Sequence, residues 1–225
     1  MAKKTQPVTN PEPDVPPAGL MSVGRLIFLI DGVFAITLTL LVLDLRPPEV
    51  AASALTSGLQ SMLPRLAIYL LAFFTIANQW AIHFQSFRHV RYTDVTLVWL
   101  SLANLLFVTL LPASTAIVGR YPYEPLAAAC FSVNSLLMSL SVMAIWAYVH
   151  RHRATFAPDT DPRVLRGIAL VWLYVSLGLG VALVIGFFST VAAFVVWVVW
   201  PWLVTFSWMR RRRSLPQGFA GEAQS

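Results

Sequence analysis

The sequence predicts an all-α, polytopic membrane protein with six transmembrane helices per subunit and both termini cytosolic. Three observations carry that prediction. Of 225 residues, 57% are hydrophobic and 12% charged, where average soluble proteins carry about 25% charged residues. Mean hydropathy is +0.69. Apolar runs of about 20 residues recur between short polar breaks, and that is the length a helix needs to cross a hydrocarbon core of about 30 Å.

Residues 1–20 open with MAKKTQPVTNPEPDVPPA, in which Lys3 and Lys4 are followed by no apolar stretch. The segment therefore lacks the pattern of a secretory signal, and its five prolines predict a disordered cytosolic tail. A six-helix transmembrane domain is expected over residues 21–213, and a second cytosolic tail over 214–225. The first span covers 24–45 and ends at RPPEVAAS, whose two prolines stop a helix. The second covers 59–85, closed by SFRHVRYTD; the third 93–118, closed by VGRYPYEP; the fourth 124–149, closed by HRHRATFAPDTDPR. Only Gly186 and the Ser189-Thr190 pair divide the fifth, 164–187, from the sixth, 189–209, so that turn must be tight.

Basic residues orient these spans. With the N-terminus inside, Lys3, Lys4, Arg25, Arg88, Arg91, Arg151, Arg153, Arg163, Arg166 and the four arginines at 210–213 fall on the cytosolic side, 13 of the 16 Lys and Arg. Only Arg46, Arg65 and Arg120 fall outside or near it. The net charge of +6 is therefore read as membrane orientation, and nucleic acid is not an expected partner. Tyr121, Tyr123, Trp146 and Trp208 sit near span ends, where interfacial anchoring is expected. Trp99, Trp197, Trp200 and Trp202 lie deeper and are expected to pack between helices. The one cysteine, Cys130, excludes an intrachain disulfide and reads as a small buried side chain.

The first span carries the chemistry. Within RLIFLIDGVFAITLTLLVLDL, Asp31 is an interior carboxylate, a group that costs free energy in hydrocarbon unless a partner holds it. Projection at about 100° per residue puts Ile36, Leu40 and Leu43 on one stripe, with Gly32 below it, Thr39 on its flank and Asp31 on the opposite side. From periodicity alone the stripe faces lipid or a neighbouring helix. The second span ends where the first begins, so Asn78, Gln79, Trp80 and His83 lie at the depth of Asp31, and Trp80 Nε1–H or His83 can donate to it. Asn104 and Asn134 are further intramembrane amides suited to bonds across helices. No HExxH, GxSxG or phosphate-cradling glycine loop appears, so no catalytic residues, cofactor or metal ligands are expected. His150, His152, Asp159 and Asp161 share one loop, but their spacing is not a metal pattern and adjacent arginines oppose a cation.

Residues 25–43, RLIFLIDGVFAITLTLLVL, resemble the first helix of the prokaryotic transmembrane protein 175 family of potassium channels. That family has Arg, three residues, then Phe-Ser-Asp; here Arg25 and Asp31 keep the spacing, with Leu29 and Ile30 in place of Phe-Ser. Trp80 and His83 resemble the family's Trp-x-x-His-His, with Phe84 at the second His. FRHVRYTD, VWLSLANLLFVTLLP and YEPLA extend the likeness through residues 87–127. The resemblance implies a homotetramer in the cell membrane, with four first helices lining a path for K+ as permeant ion. It implies a constriction at Ile36, Leu40 and Leu43, with Thr39 beside it, and a packing network of Arg25, Asp31, Trp80 and His83. The TVGYG filter of ordinary potassium channels is absent. The alternative is a non-conducting membrane scaffold or binding protein of the same fold. A membrane enzyme or secondary transporter is the third reading; no inverted repeat supports the latter, although Pro112 and Pro201 lie within spans.

Overall fold

Each helix starts and stops where the sequence supplies a reason. The structure, a computed structural model, describes residues 18–153 and 160–213. The tails expected at 1–20 and 214–225 lie, residues 18–20 apart, outside this range, as does Asp159. Helix α1, Gly24–Leu40, tightens into a 3₁₀ turn, Leu41–Asp44, before Pro47 and Pro48 forbid continuation. Helix α2, Leu55–Phe87, has 33 residues, about 50 Å at 1.5 Å per residue, so it projects well beyond a hydrocarbon core. Helix α3, Val95–Arg120, is capped by Asp94, whose Oδ1 accepts the Leu97 N–H at 2.8 Å.

Helices α4, Pro125–Arg151, and α5, Pro162–Gly186, both open with proline in the first turn, where its missing N–H costs nothing. Asp161 caps α5 by accepting the Arg163 N–H at 2.7 Å. Helix α6, Thr190–Arg213, follows after three residues, with Ser189 Oγ accepting the Ala192 N–H at 3.2 Å. Pro64, Pro112 and Pro201 lie inside helices that continue through them. A two-residue antiparallel pair, Met21↔Thr93 and Ser22↔Tyr92, ties the entry to α1 to the α2–α3 turn.

Among the described residues there are six α-helices. Five are long and apolar enough to cross a membrane, and the apolar part of the sixth, Thr190–Val204, is shorter. Successive helices run antiparallel, as paired positions show: Asp31 with Trp80 but Leu41 with Ile68, and Asn104 with Met138 but Asp94 with Tyr148. Likewise Ser139 pairs with Ser176 but Ala128 with Gly186, and Tyr174 with Trp200 but Gly186 with Ala193. Residue 24 and residue 213 therefore sit at the same end of the bundle. Helix α4 is the hub, packing on α3 and α5 and touching α6, while α1 lies at the edge against α2 and α3. The core gathers Ile30 and Phe34 of α1, Ala72 and Ile76 of α2, Val108 and Leu111 of α3, Val142 and Ile145 of α4, Ile168 of α5 and Trp197 of α6.

Short polar side chains cross every seam of the hub. Asn104 Nδ2 donates to Met138 O at 3.1 Å and to Ser141 Oγ at 2.9 Å. Asn134 Nδ2 donates to Phe107 O at 3.2 Å, so the two amides stitch α3 to α4 from both sides. Ser139 and Ser176 hydroxyls meet at 2.8 Å between α4 and α5, and Trp197 Nε1 donates to Ser132 Oγ at 3.1 Å between α6 and α4. Trp200 Nε1 donates to Tyr174 O at 2.8 Å, its indole lying over Gly178, where a Cβ would overlap the ring.

Three expectations about individual side chains are corrected. Trp146 is not an interfacial anchor: it is fully buried, with its ring edge-on to Phe87 at 5.6 Å. It shares the inward face of α4 with Val142, Ile145 and Val149, and face outweighs nearness to the helix end. Cys130 is exposed, on the outer stripe of α4 with Leu126, Val133 and Leu137. Trp99 is 67% exposed on α3 rather than packed between helices. Tyr121 and Tyr123 are exposed at the α3–α4 turn.

Candidate functional site

Helix α1 divides into two faces. Leu26, Ile30, Phe34, Thr37 and Leu41 recur every three to four residues and are all buried against α2 and α3. On the other side Ile36 is 61% exposed, Leu40 45% and Leu43 65%. Leu29, 46% exposed, extends this stripe by two turns toward the helix start. Projection at about 100° per residue places Leu29 about 20° from Ile36, so that signal was in the sequence. Gly32 is exposed between them, leaving the backbone open at that level.

Thr39 is exposed beside the stripe, and its hydroxyl donates to Ile36 O at 2.7 Å. With its proton committed to the backbone, the Thr39 oxygen presents lone pairs outward, which suits a cation. Thr37, by contrast, is buried and donates to Val33 O at 2.8 Å.

The packing residues divide likewise. Trp80 Nε1–H donates to Asp31 Oδ1 at 2.9 Å, joining α1 to α2. Phe84, at the position of a second histidine, stacks on Trp80 at 5.6 Å. His83 is buried in the same seam, stacked on Phe87 at 4.0 Å and tilted against Phe34 of α1 at 6.1 Å. Its contact with α1 is therefore a ring contact one turn beyond Asp31. Arg25 is exposed in the first turn of α1, away from the Asp31–Trp80 pair. Sequence reasoning missed Tyr148, whose hydroxyl donates to Asp94 Oδ2 at 2.7 Å and so binds the end of α4 to the cap of α3. A hydroxyl two residues before a basic loop and a carboxylate before a span carry no pairing signal by themselves.

This arrangement can present an apolar ridge to other copies of the chain, with a backbone gap at Gly32 and outward oxygens at Thr39. The comparisons say what such a helix belongs to. Residues 25–112 match the family described as endosomal/lysosomal potassium channel TMEM175. A potassium channel of Streptomyces collinus is 32% identical over 171 residues, which cover 74% of this chain and 83% of that protein. A potassium channel of Chamaesiphon minutus is 33% identical over 135 residues, 59% of this chain and 66% of that protein. The crystal structure of a lysosomal potassium-selective channel TMEM175 homolog from Chamaesiphon minutus aligns with a TM-score of 0.72 at 25% identity, over 84% of this chain and 97% of that one. The family is one of channels, not enzymes. A membrane bundle of six helices, with this identity and coverage, places the chain in the TMEM175 family of ion channels.

Proposed function

We propose that this chain is one subunit of a homotetrameric, potassium-permeable channel of the cell membrane, with its termini in the cytosol and four copies of α1 around the path. Ile36, Leu40 and Leu43 form its constriction and Thr39 lines it beside them. The observation that carries this reading is the exposure of those three aliphatic side chains on a helix whose opposite face packs against α2 and α3. The relatives named potassium channels support the choice of ion.

Closely spaced rings of Ile and Leu disfavour water, so the path is shut when they meet and conducts when α1 turns or shifts enough to widen them. Thr39 oxygens then replace part of the water around the cation. Asp31, Trp80 and His83 set the rotation of α1 from behind, and Arg25 stands at the cytosolic entry, its charge reaching the surface.

The test is ion flux in liposomes loaded with K+ or Na+. Wild type conducts K+, and Ile36→Asn or Leu40→Asn raises basal flux by roughly tenfold, because a polar ring holds water. Unchanged flux in both variants contradicts the assignment. In detergent the assembly weighs about 100 kDa, four chains of 24.9 kDa. Leu29 and Ile30 in place of Phe-Ser favour one other reading, a scaffold that kept the bundle and lost conduction. That reading predicts no flux from wild type or from either variant.

A further inference from the structure

The three arginines that break the charge asymmetry of this chain converge. Arg46, after α1, Arg65, in α2, and Arg120, at the end of α3, all line one cavity of about 320 Å³. Leu41, Leu45 and Tyr69 complete much of its wall, and among the described side chains no carboxylate lines it. The volume falls in the range of small-molecule sites, about 300–1,000 Å³. From these observations we infer that the cavity is a binding site for a phosphate-bearing anion, held by Arg46, Arg65 and Arg120 at the membrane face opposite the start of α1.

Depth supports the assignment. Arg46 is fifteen residues past Asp31 and Arg65 fifteen residues before Trp80, on antiparallel helices pinned together by the Asp31–Trp80 bond. Arg65 therefore lies about 22 Å along α2 from that bond, and Arg46, beyond the 3₁₀ turn, lines the same cavity and so sits at the same level. Adding the seven residues from Gly24 to Asp31 puts them about 33 Å from the start of α1, where a hydrocarbon core of about 30 Å gives way to headgroups.

Chemistry supports it too. Guanidinium forks match phosphate oxygens two at a time, and all three arginines are exposed at the cavity. Arg120 Nε donates to Tyr121 OH at 3.3 Å, which leaves its terminal nitrogens for a ligand. Leu41, Leu45 and Ile68 give the cavity an apolar wall, as a phosphate attached to acyl chains would need. Two sources share this chemistry: a phospholipid headgroup and free phosphate. The site stands whether or not the chain conducts.

Native mass spectrometry of the full chain in detergent tests it, with phosphatidylglycerol, phosphatidylcholine and inorganic phosphate as probes. Wild type retains phosphatidylglycerol roughly tenfold better than phosphatidylcholine, and the triple variant Arg46→Gln, Arg65→Gln, Arg120→Gln loses the preference. Phosphatidylglycerol that millimolar phosphate does not displace identifies a lipid site. Phosphate that raises the wild-type melting temperature but not that of the triple variant, with no lipid preference, identifies a free-anion site. Should the triple variant fail to fold, Arg65→Gln and Arg120→Gln singly must each weaken retention. Wild type that shows neither lipid preference nor a phosphate effect overturns the inference, and so does a folded triple variant that behaves like wild type.

Discussion

Helices α1 and α4 are both long and apolar enough to cross a membrane, and they are held in opposite ways. Helix α4 is crossed by hydrogen bonds on three sides, through Asn104 and Asn134 to α3, Ser176 to α5 and Trp197 to α6. Helix α1 rests on apolar packing and on one side-chain bond to another helix, Trp80 to Asp31. In lipid the hydrophobic effect does not drive helices together, so interhelical hydrogen bonds and close packing decide which seams are fixed. By that standard α3 to α6 form the frame, while α1 and α2, joined by that one bond, are held chiefly by apolar packing. Under the proposed function, a helix that gates a path needs freedom to turn, and the frame behind it needs the reverse.

Four substitutions would break or sharpen this contrast. The largest expected effect on stability is at Gly178, where a methyl group would meet the Trp200 indole. Gly178→Ala should cost about 1–3 kcal/mol through overpacking and lower the melting temperature in detergent. Next, Asn104→Leu removes two bonds between α3 and α4 and should cost about 1–2 kcal/mol, with flux per folded channel unchanged. Trp80→Phe should do the opposite. It removes the donor to Asp31 and should cost about 1 kcal/mol while changing the open fraction of the channel, read as flux per folded protein. If Asn104→Leu alters flux and Trp80→Phe does not, the division into frame and gate is wrong. The smallest effect is expected at Tyr148→Phe, which removes one bond to Asp94 at the edge of the frame and should cost less than about 1 kcal/mol.

The sequence carried the spans well because length and hydropathy alone define them. The first is expected at 24–45 and found as Gly24–Leu40 with its 3₁₀ turn to Asp44. The fifth and sixth divide at Ser189, beside the Gly186 that marks the break. Asp31 and Trp80 were legible as neighbours because antiparallel spans fix depth, and a carboxylate and an indole N–H at one depth are natural partners. What sequence position does not give is the face a residue presents. Trp146 lies near a helix end and yet faces the core, while Cys130 lies deep in an apolar run and yet faces outward. Those directions depend on which helices flank α4, and nothing local to residues 125–151 encodes that. The gathering of Arg46, Arg65 and Arg120 is illegible for the same reason, since they come from three separate segments.

The central claim is that the exposed stripe of α1 faces its counterparts in other subunits. Site-directed cross-linking tests it most directly, in a Cys130→Ser background that removes the one native thiol. With Leu40→Cys, a short bifunctional maleimide applied to the reconstituted protein should join subunits into dimers and higher species, while Ile30→Cys, on the buried face, should give none. A Leu40→Cys protein that stays monomeric on the gel, with a fluorophore at that position quenched by brominated acyl chains, would place the stripe in lipid and contradict the account.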